Sequence, residues 1–77
     1  MKISLHADFN NCTEDYKIRL ITVGSLRDIE QKRDKLSDGL TVILSDNEIE
    51  VEAHLERDER DEMWLGVPDW STRRDVV

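Results

Sequence analysis

The chain contains little cysteine, proline or glycine: its 77 residues include one, one and three of them, respectively. A single cysteine, Cys12, cannot close an intramolecular disulfide, which excludes the disulfide-rich secreted domains. No apolar run approaches the ~20 residues that a transmembrane helix requires, and the first residues show no basic, apolar and small-residue signal. We therefore predict a cytoplasmic protein without a membrane segment.

Histidines and activated nucleophiles are also scarce, and this limits the chemistry that the chain offers. Neither His6 nor His54 is accompanied by a serine or cysteine in a glycine-rich turn, so no hydrolytic constellation is recognisable. His54 with Glu52 and Glu56 would supply metal ligands on one strand face, yet such ligands converge only if a neighbouring strand contributes. We predict that the protein is not an enzyme and uses no metal or cofactor.

The short length limits stability. A chain of this size buries only about 60% of its unfolded surface, so a partner or a second copy of the chain would stabilise it. We predict a single small domain over residues 1 to 70 and a frayed C-terminal tail over residues 71 to 77. The sequence is consistent with a monomer and with a homodimer.

Negative charge is what the sequence has in excess, and it is concentrated in one segment. The formal net charge is −7, and residues 46 to 62 contain nine acidic side chains against Arg57 and Arg60. This segment accounts for the whole net charge, because the remaining residues carry as many bases as acids. It would repel a nucleic acid or an anionic membrane, so we predict neither as a partner.

The residue pattern predicts five strands and one helix. Alternating apolar and polar residues indicate the strands, and the spacing of Leu26 and Ile29 indicates a helix that Ser25 caps. Asp46-Asn47 is typical of a tight hairpin turn between the third and fourth strands. The strands are predicted over residues 2–8, 16–23, 40–45, 48–56 and 62–67, and the helix over residues 26–36.

A two-residue turn at this hairpin makes every inward cross-strand pair apolar. Leu44 then opposes Ile49, and Val42 opposes Val51, so the register is consistent with a buried face. The other face of the fourth strand is polar and acidic, and it carries Glu48, Glu50, Glu52, His54 and Glu56.

The last strand determines where a tryptophan points. The better alternation directs inward Met63, Leu65 and Val67. Trp64 is then directed outward, opposite His54, and Pro68 ends the strand because it has no backbone donor. A one-residue bulge before Met63 would instead turn Trp64 inward. Trp70 either caps the open end of the sheet or lines a groove.

The predicted order of elements is β-β-α-β-β-β, which is mainly β with one short helix, or α+β by strict count. Five short antiparallel strands around so small a core predict a partly open barrel or a strongly twisted sheet. The meander that ends in Trp-Leu-Gly-Val-Pro resembles a Src-homology-3-like barrel in general architecture. The resemblance implies no binding residue, because the aromatic cluster of peptide-binding members is not visible near the chain start.

The acidic strand face and the tryptophans together predict one binding surface, since aromatics supply apolar contact and carboxylates supply charge for a basic partner. We predict a small non-catalytic interaction or regulatory module that binds a basic protein segment. The alternative is an acidic decoy or inhibitor that imitates nucleic acid and blocks a basic protein; an enzyme or metal-binding protein comes third. The predicted partner-binding residues are Glu48, Glu50, Glu52, His54, Glu56, Trp64 and Trp70.

Overall fold

A computed structural model describes residues 3 to 76, so Lys2 of the first predicted strand and Val77 of the predicted tail lie outside the described residues. The protein is mainly β with one short helix, and its elements follow the predicted order. A short 3-10 turn at Arg33–Lys35 follows the helix. The bounds are β1 Ile3–His6, β2 Ile18–Arg19, α1 Val23–Lys32, β3 Thr41–Ser45, β4 Ile49–Asp58 and β5 Met63–Asp75.

The strands form a five-stranded sheet in the order β1-β3-β4-β5-β2, curled into a half-barrel. β1 pairs with β3 in parallel, whereas all other neighbours are antiparallel. The prediction of a purely antiparallel sheet is therefore wrong. Residues 7 to 40 form a long crossover that returns the chain beside β1 in the same direction, as parallel pairing requires. The Src-homology-3-like architecture stays a prediction.

Helix α1 begins three residues earlier than the sequence predicts. Thr22 is the N-cap, and its hydroxyl accepts a hydrogen bond from the backbone N–H of Ser25. Ser25, the predicted cap, is instead fully buried. Both hydroxyl residues precede the same apolar spacing, so the sequence pattern does not separate them. Among residues 3 to 76, no helix has the length and apolar character that crossing a membrane requires.

The helix also covers the outer edge of β1. The backbone N–H of His6 donates to the Asp28 carboxylate at 2.8 Å, and the His6 carbonyl accepts a hydrogen bond from the Ser25 hydroxyl. These backbone groups point away from β3, and an open edge there would invite pairing with another chain. The two hydrogen bonds therefore close this part of the edge and fix α1 against β1.

The core is formed by one face of the sheet, which we call the core face. Alternation within β1, β3 and β4 places most of their apolar residues there, and Ile29 of α1 packs against them. Leu65 of β5 is buried as well, although it pairs with Glu56 of the opposite face. We call the opposite side of the sheet the outer face. The buried core residues are Leu5, Ala7, Ile18, Leu20, Val42, Leu44, Val51, Ala53 and Leu55.

The turn between β3 and β4 is wider than predicted. Leu44 pairs with Val51 rather than with Ile49. The Asp46 carboxylate accepts hydrogen bonds from the backbone N–H groups of Glu48 and Ile49 at 2.7 and 2.8 Å, which stabilises the wider turn. The register differs from the prediction by two residues. Because side chains alternate with a period of two, the apolar residues stay on the core face.

The register between β4 and β5 differs from the prediction by three residues. Leu55 pairs with Gly66, and Arg57 pairs with Trp64. An odd shift exchanges the two faces of a strand, because successive side chains point to opposite sides. Trp64 therefore lies on the core face and packs against the core cluster. The prediction that Trp64 points outward, opposite His54, is wrong.

Gly66 explains this register. A Cβ atom at Gly66 would lie 2.6 Å from Leu44 Cδ1, so the buried Leu44 side chain occupies the space that a residue with a side chain would need. A glycine within a strand gives no apolar signal, and sequence alternation therefore favours Met63, Leu65 and Val67 as the inward set.

Strand β5 continues past Pro68, so residues 71 to 75 belong to a strand where the sequence predicts a frayed tail. Pairing with β4 is interrupted by a bulge and resumes at Arg74. Within the bulge, the Thr72 hydroxyl accepts a hydrogen bond from the backbone N–H of Glu52 at 2.8 Å. Pro68 pairs with Ala53 and pairing continues to Asp69, so the prediction that Pro68 ends the strand is wrong. The bulge follows the proline, and the chain rejoins β4 beyond it.

Substitution of Gly66 by alanine tests the packing that sets this register. The added methyl group would collide with Leu44 inside a closely packed core, and overpacking typically costs about 1–3 kcal/mol. We expect that loss in the free energy of unfolding, measured by denaturant titration. Leu44→Val in the same chain should recover part of it, so the two changes together should cost less than their sum. Strict additivity would contradict the contact.

The Asp46 turn makes stability depend on pH. Hydrogen bonds from the backbone N–H groups of Ile49 and Glu48 lower the pKa of Asp46. A lowered folded-state pKa contributes stability above the unfolded value of about 3.9, and this contribution is lost as pH falls through the folded value. We expect Asp46→Asn to cost about 1 kcal/mol at neutral pH and progressively less below about pH 4. Denaturant titrations that gave the same difference at both pH values would contradict the role of the charge.

Candidate functional site

The predicted acidic face lies on the outer face of β4. Glu50, Glu52, His54 and Glu56 alternate with core residues along the strand, which confirms the predicted alternation. Glu48 precedes β4 and is exposed in the turn. Two narrow clefts of about 200 and 210 Å³ flank Glu52 on this face.

Cations of the same chain compensate part of this negative charge. Lys17 Nζ lies 2.7 Å from Glu56 Oε1, and this hydrogen bond raises the pKa of Lys17. Arg74 of β5 pairs with Glu50. His54 Nε2 lies 3.6 Å from Glu56 Oε2, a contact that is an ion pair only when the imidazole is protonated. The outer face is therefore a mixed surface of acids and bases, and it is less complementary to a basic partner than the sequence predicts.

The two tryptophans occupy different positions in β5. Trp64 is on the core face of the sheet. Trp70 lies in the bulge of β5, about half exposed, with its ring centre 5.6 Å from that of Phe9. The structure thus brings together the predicted residues of β4 and places Trp64 on the opposite face of the sheet.

A larger groove opens between α1 and the hairpin formed by β4 and β5. Its volume is about 600 Å³, within the ~300–1,000 Å³ that ligand sites usually have. Its lining combines apolar and charged side chains. The apolar members are Leu20, Ile21, Leu26, Ile29, Met63 and Trp64; the charged members are Glu30, Arg33, Arg57, Asp61 and Glu62.

Helix α1 and the residues just before it form the first wall of the groove. Leu26 is 52% exposed and Ile21 is 42% exposed, although both are large and apolar. Leu26 and Ile29 are three residues apart and therefore lie on the same side of the helix. Grouped apolar side chains with a charged rim are typical of interaction sites.

The β4–β5 hairpin forms the second wall. Trp64 packs against the core with part of its surface and lines the groove with another part. Arg57 Cζ lies 5.3 Å from the centre of the Trp64 ring, a cation–π distance. The backbone N–H of Arg57 donates to the Asp38 carboxylate at 2.9 Å, which ties this wall to the segment after α1. Met63, an adaptable side chain, extends the apolar surface.

Charge is distributed unequally between the two walls. On the α1 wall, Glu30 pairs with Arg33 at 3.5 Å. On the hairpin wall, the Asp61 and Glu62 carboxylates have no ion-pair partner within residues 3 to 76. Two carboxylates outnumber the single guanidinium of Arg57 on this wall, so the hairpin wall carries net negative charge next to the indole of Trp64.

Glu62 is held in an unfavourable backbone conformation. Asp58 pairs with Met63, so the loop between the strands comprises residues 59 to 62. Glu62 has a φ of 53°, in the left-handed region that glycine adopts without the steric cost of a Cβ atom. A carboxylate thus stands at a loop position where glycine would fit more easily.

The groove lining contains apolar, carboxylate and guanidinium side chains. No histidine, serine, threonine or cysteine lines it, so it contains no side chain that commonly serves as a nucleophile with an adjacent base. Within the described part of the chain, no group of three or more His, Cys, Asp or Glu residues could hold a metal ion. Cys12 is a free cysteine, partly buried outside the groove.

Comparison with known proteins assigns the chain to no family. The sequence matches no family model and no curated protein, and the fold matches no solved structure. The case for a function therefore rests on the residues of the site itself.

Of the predicted partner-binding residues, Trp64 alone lines the groove. Sequence patterning missed the others because it assigned Leu26, Ile29 and Met63 to the core. The ten residues of α1 include only Val23, Leu26 and Ile29 as apolar side chains, so the helix sequence carries no signal of an exposed groove. The juxtaposition of α1 with the acidic loop requires the tertiary structure.

Replacement of Glu62 by glycine tests the strain in the loop. Relief of the left-handed penalty should outweigh the extra unfolded-state entropy of glycine and stabilise the protein by about 0.5–1 kcal/mol. Glu59→Gly is the matched control, because Glu59 lies in the same loop with a negative φ, and it should destabilise. Thermal and denaturant unfolding measure both. An equal loss of stability in the two variants would contradict the strained conformation.

Proposed function

We propose that the protein is a non-catalytic interaction or regulatory module that binds a basic segment of another protein. The docking surface is the groove between α1 and the β4–β5 hairpin. One observation carries the proposal: exposed apolar side chains and carboxylates without ion-pair partners line the same groove. Buried aromatic and aliphatic side chains slow the dissociation of such complexes, and complementary charge increases the rate and selectivity of association.

Charge complementarity selects the occupant. The chain carries a net charge of −7, which attracts a basic partner over long distances and repels nucleic acid. A second copy of the chain would bring the same excess of acid, so the groove does not suit self-association. Homodimer formation through another surface stays a prediction.

The nucleic-acid-mimicking decoy is the second candidate function, and two observations favour it. The segment from Asp58 to Glu62 presents four acids and one arginine, and Trp64 is partly buried against the protein's own core cluster. A decoy would use the carboxylates alone. Its partner would tolerate loss of the apolar groove residues and dissociate readily at high salt.

Peptide selection distinguishes these functions. We expect a random peptide library, selected on the immobilised protein, to enrich sequences that combine Lys or Arg with large apolar residues. Leu26→Gln should weaken binding of the most enriched peptide about tenfold, because an apolar contact in the groove is lost. Val23→Gln is the matched control: Val23 is 75% exposed on the same helix but does not line the groove. It should leave binding unchanged.

Binding of the most enriched peptide can be measured by titration and followed through tryptophan emission. A Trp70→Phe background leaves Trp64 as the sole tryptophan, so a blue shift on peptide addition reports burial in the groove. Enrichment of peptides rich in Lys and Arg alone, bound equally by both glutamine variants, would favour the decoy. Failure to enrich any basic sequence would contradict both functions.

A further inference from the structure

We infer that the occupant of the groove binds in one orientation, with its cationic side chains against the hairpin wall and its apolar side chains against α1. This inference rests on the proposed function and specifies how the groove recognises its partner. The volume of about 600 Å³ corresponds to about 20 water molecules, room for several side chains but not for a folded domain. The occupant is therefore a short amphipathic segment.

The distribution of charge between the two walls determines the orientation of the bound segment. Glu30 and Arg33 on the α1 wall are paired with each other and are both 73% exposed, so that wall presents no net charge to a ligand. Asp61 and Glu62 on the hairpin wall lack such a partner within the described residues. Asp61 and Glu62 also outnumber Arg57 on the hairpin wall. An incoming ammonium or guanidinium group therefore makes its most favourable electrostatic contacts there, beside an apolar surface.

A guanidinium group already lies on the hairpin wall. Arg57 places Cζ 5.3 Å from the centre of the Trp64 ring, which shows that this face of the indole accommodates a planar cation. Arg57 is exposed, and its backbone is fixed by Asp38 while its side chain is free of ion pairs within residues 3 to 76. A basic side chain of the partner would lie beside or in place of this guanidinium, next to Asp61.

The α1 wall matches the apolar part of the same segment. Leu26 and Ile21 are exposed by about half, and Ile29 continues their surface towards the core. Burial of apolar area gains roughly 25 cal/mol for each Å² removed from water, so this wall favours leucine-like side chains over charged ones. The two walls therefore select opposite sides of one amphipathic segment.

Charge reversal in both partners tests the orientation. The probes are the most enriched peptide of the selection above and a counterpart with its Lys and Arg residues replaced by Glu. They are titrated into the wild-type protein and into Asp61→Lys, Glu30→Lys and Glu59→Lys, each of which changes the charge by the same amount. Asp61 and Glu30 line opposite walls, whereas Glu59 lies in the hairpin loop outside the groove. Measurement at about 0.15 M salt limits long-range effects, because the Debye length is then about 8 Å.

We expect Asp61→Lys to weaken the basic peptide about tenfold and to strengthen its acidic counterpart, with less than about threefold change for the other two variants. A larger effect of Glu30→Lys would indicate the reverse orientation. Equal effects of all three variants would show that only the net charge of the protein matters. Either result overturns the inference, whereas weaker binding to Leu26→Gln would still support the groove as the docking surface. Loss of the Leu26 effect would instead overturn the proposed function itself.

Discussion

The pairing of Leu55 with Gly66 is the constraint on which the rest of this structure depends. Gly66 leaves space that the buried Leu44 side chain fills, and this packing fixes the register of β5 against β4. The register places Trp64 on the core face beside Arg57. Without it, neither the second wall of the groove nor the separation of the tryptophan from the acidic residues of β4 would exist.

That separation divides the acidic surface of the molecule into two parts with different properties. On the outer face, Lys17 and Arg74 pair with Glu56 and Glu50, so the charges largely serve contacts within the chain. At the β4–β5 loop, carboxylates remain without ion-pair partners next to exposed apolar side chains. Only the second part combines uncompensated charge with an apolar anchor, which is what recognition of a basic segment requires.

Local patterning accounts for much of the fold. The order of elements and the alternation along β4 follow from the sequence. The two-residue error in register at the Asp46 turn leaves each side chain on its predicted face of the sheet, because side chains alternate with a period of two. The three-residue error at β5 reverses the faces, since Gly66 and Pro68 give no apolar signal although both share a face with Trp64. The parallel pairing of β1 with β3 depends on a long crossover, and the groove depends on two elements that are distant in sequence; neither leaves a local periodicity.

The most direct test is the register of Trp64, read from cross-strand backbone NOEs in an isotope-labelled sample. We predict NOEs that link Trp64 with Arg57 and Gly66 with Leu55, the pairs that place the indole on the core face and in the groove. NOEs that linked Trp64 with His54 would contradict this arrangement. They would return the tryptophan to the acidic outer face and remove the second wall of the groove.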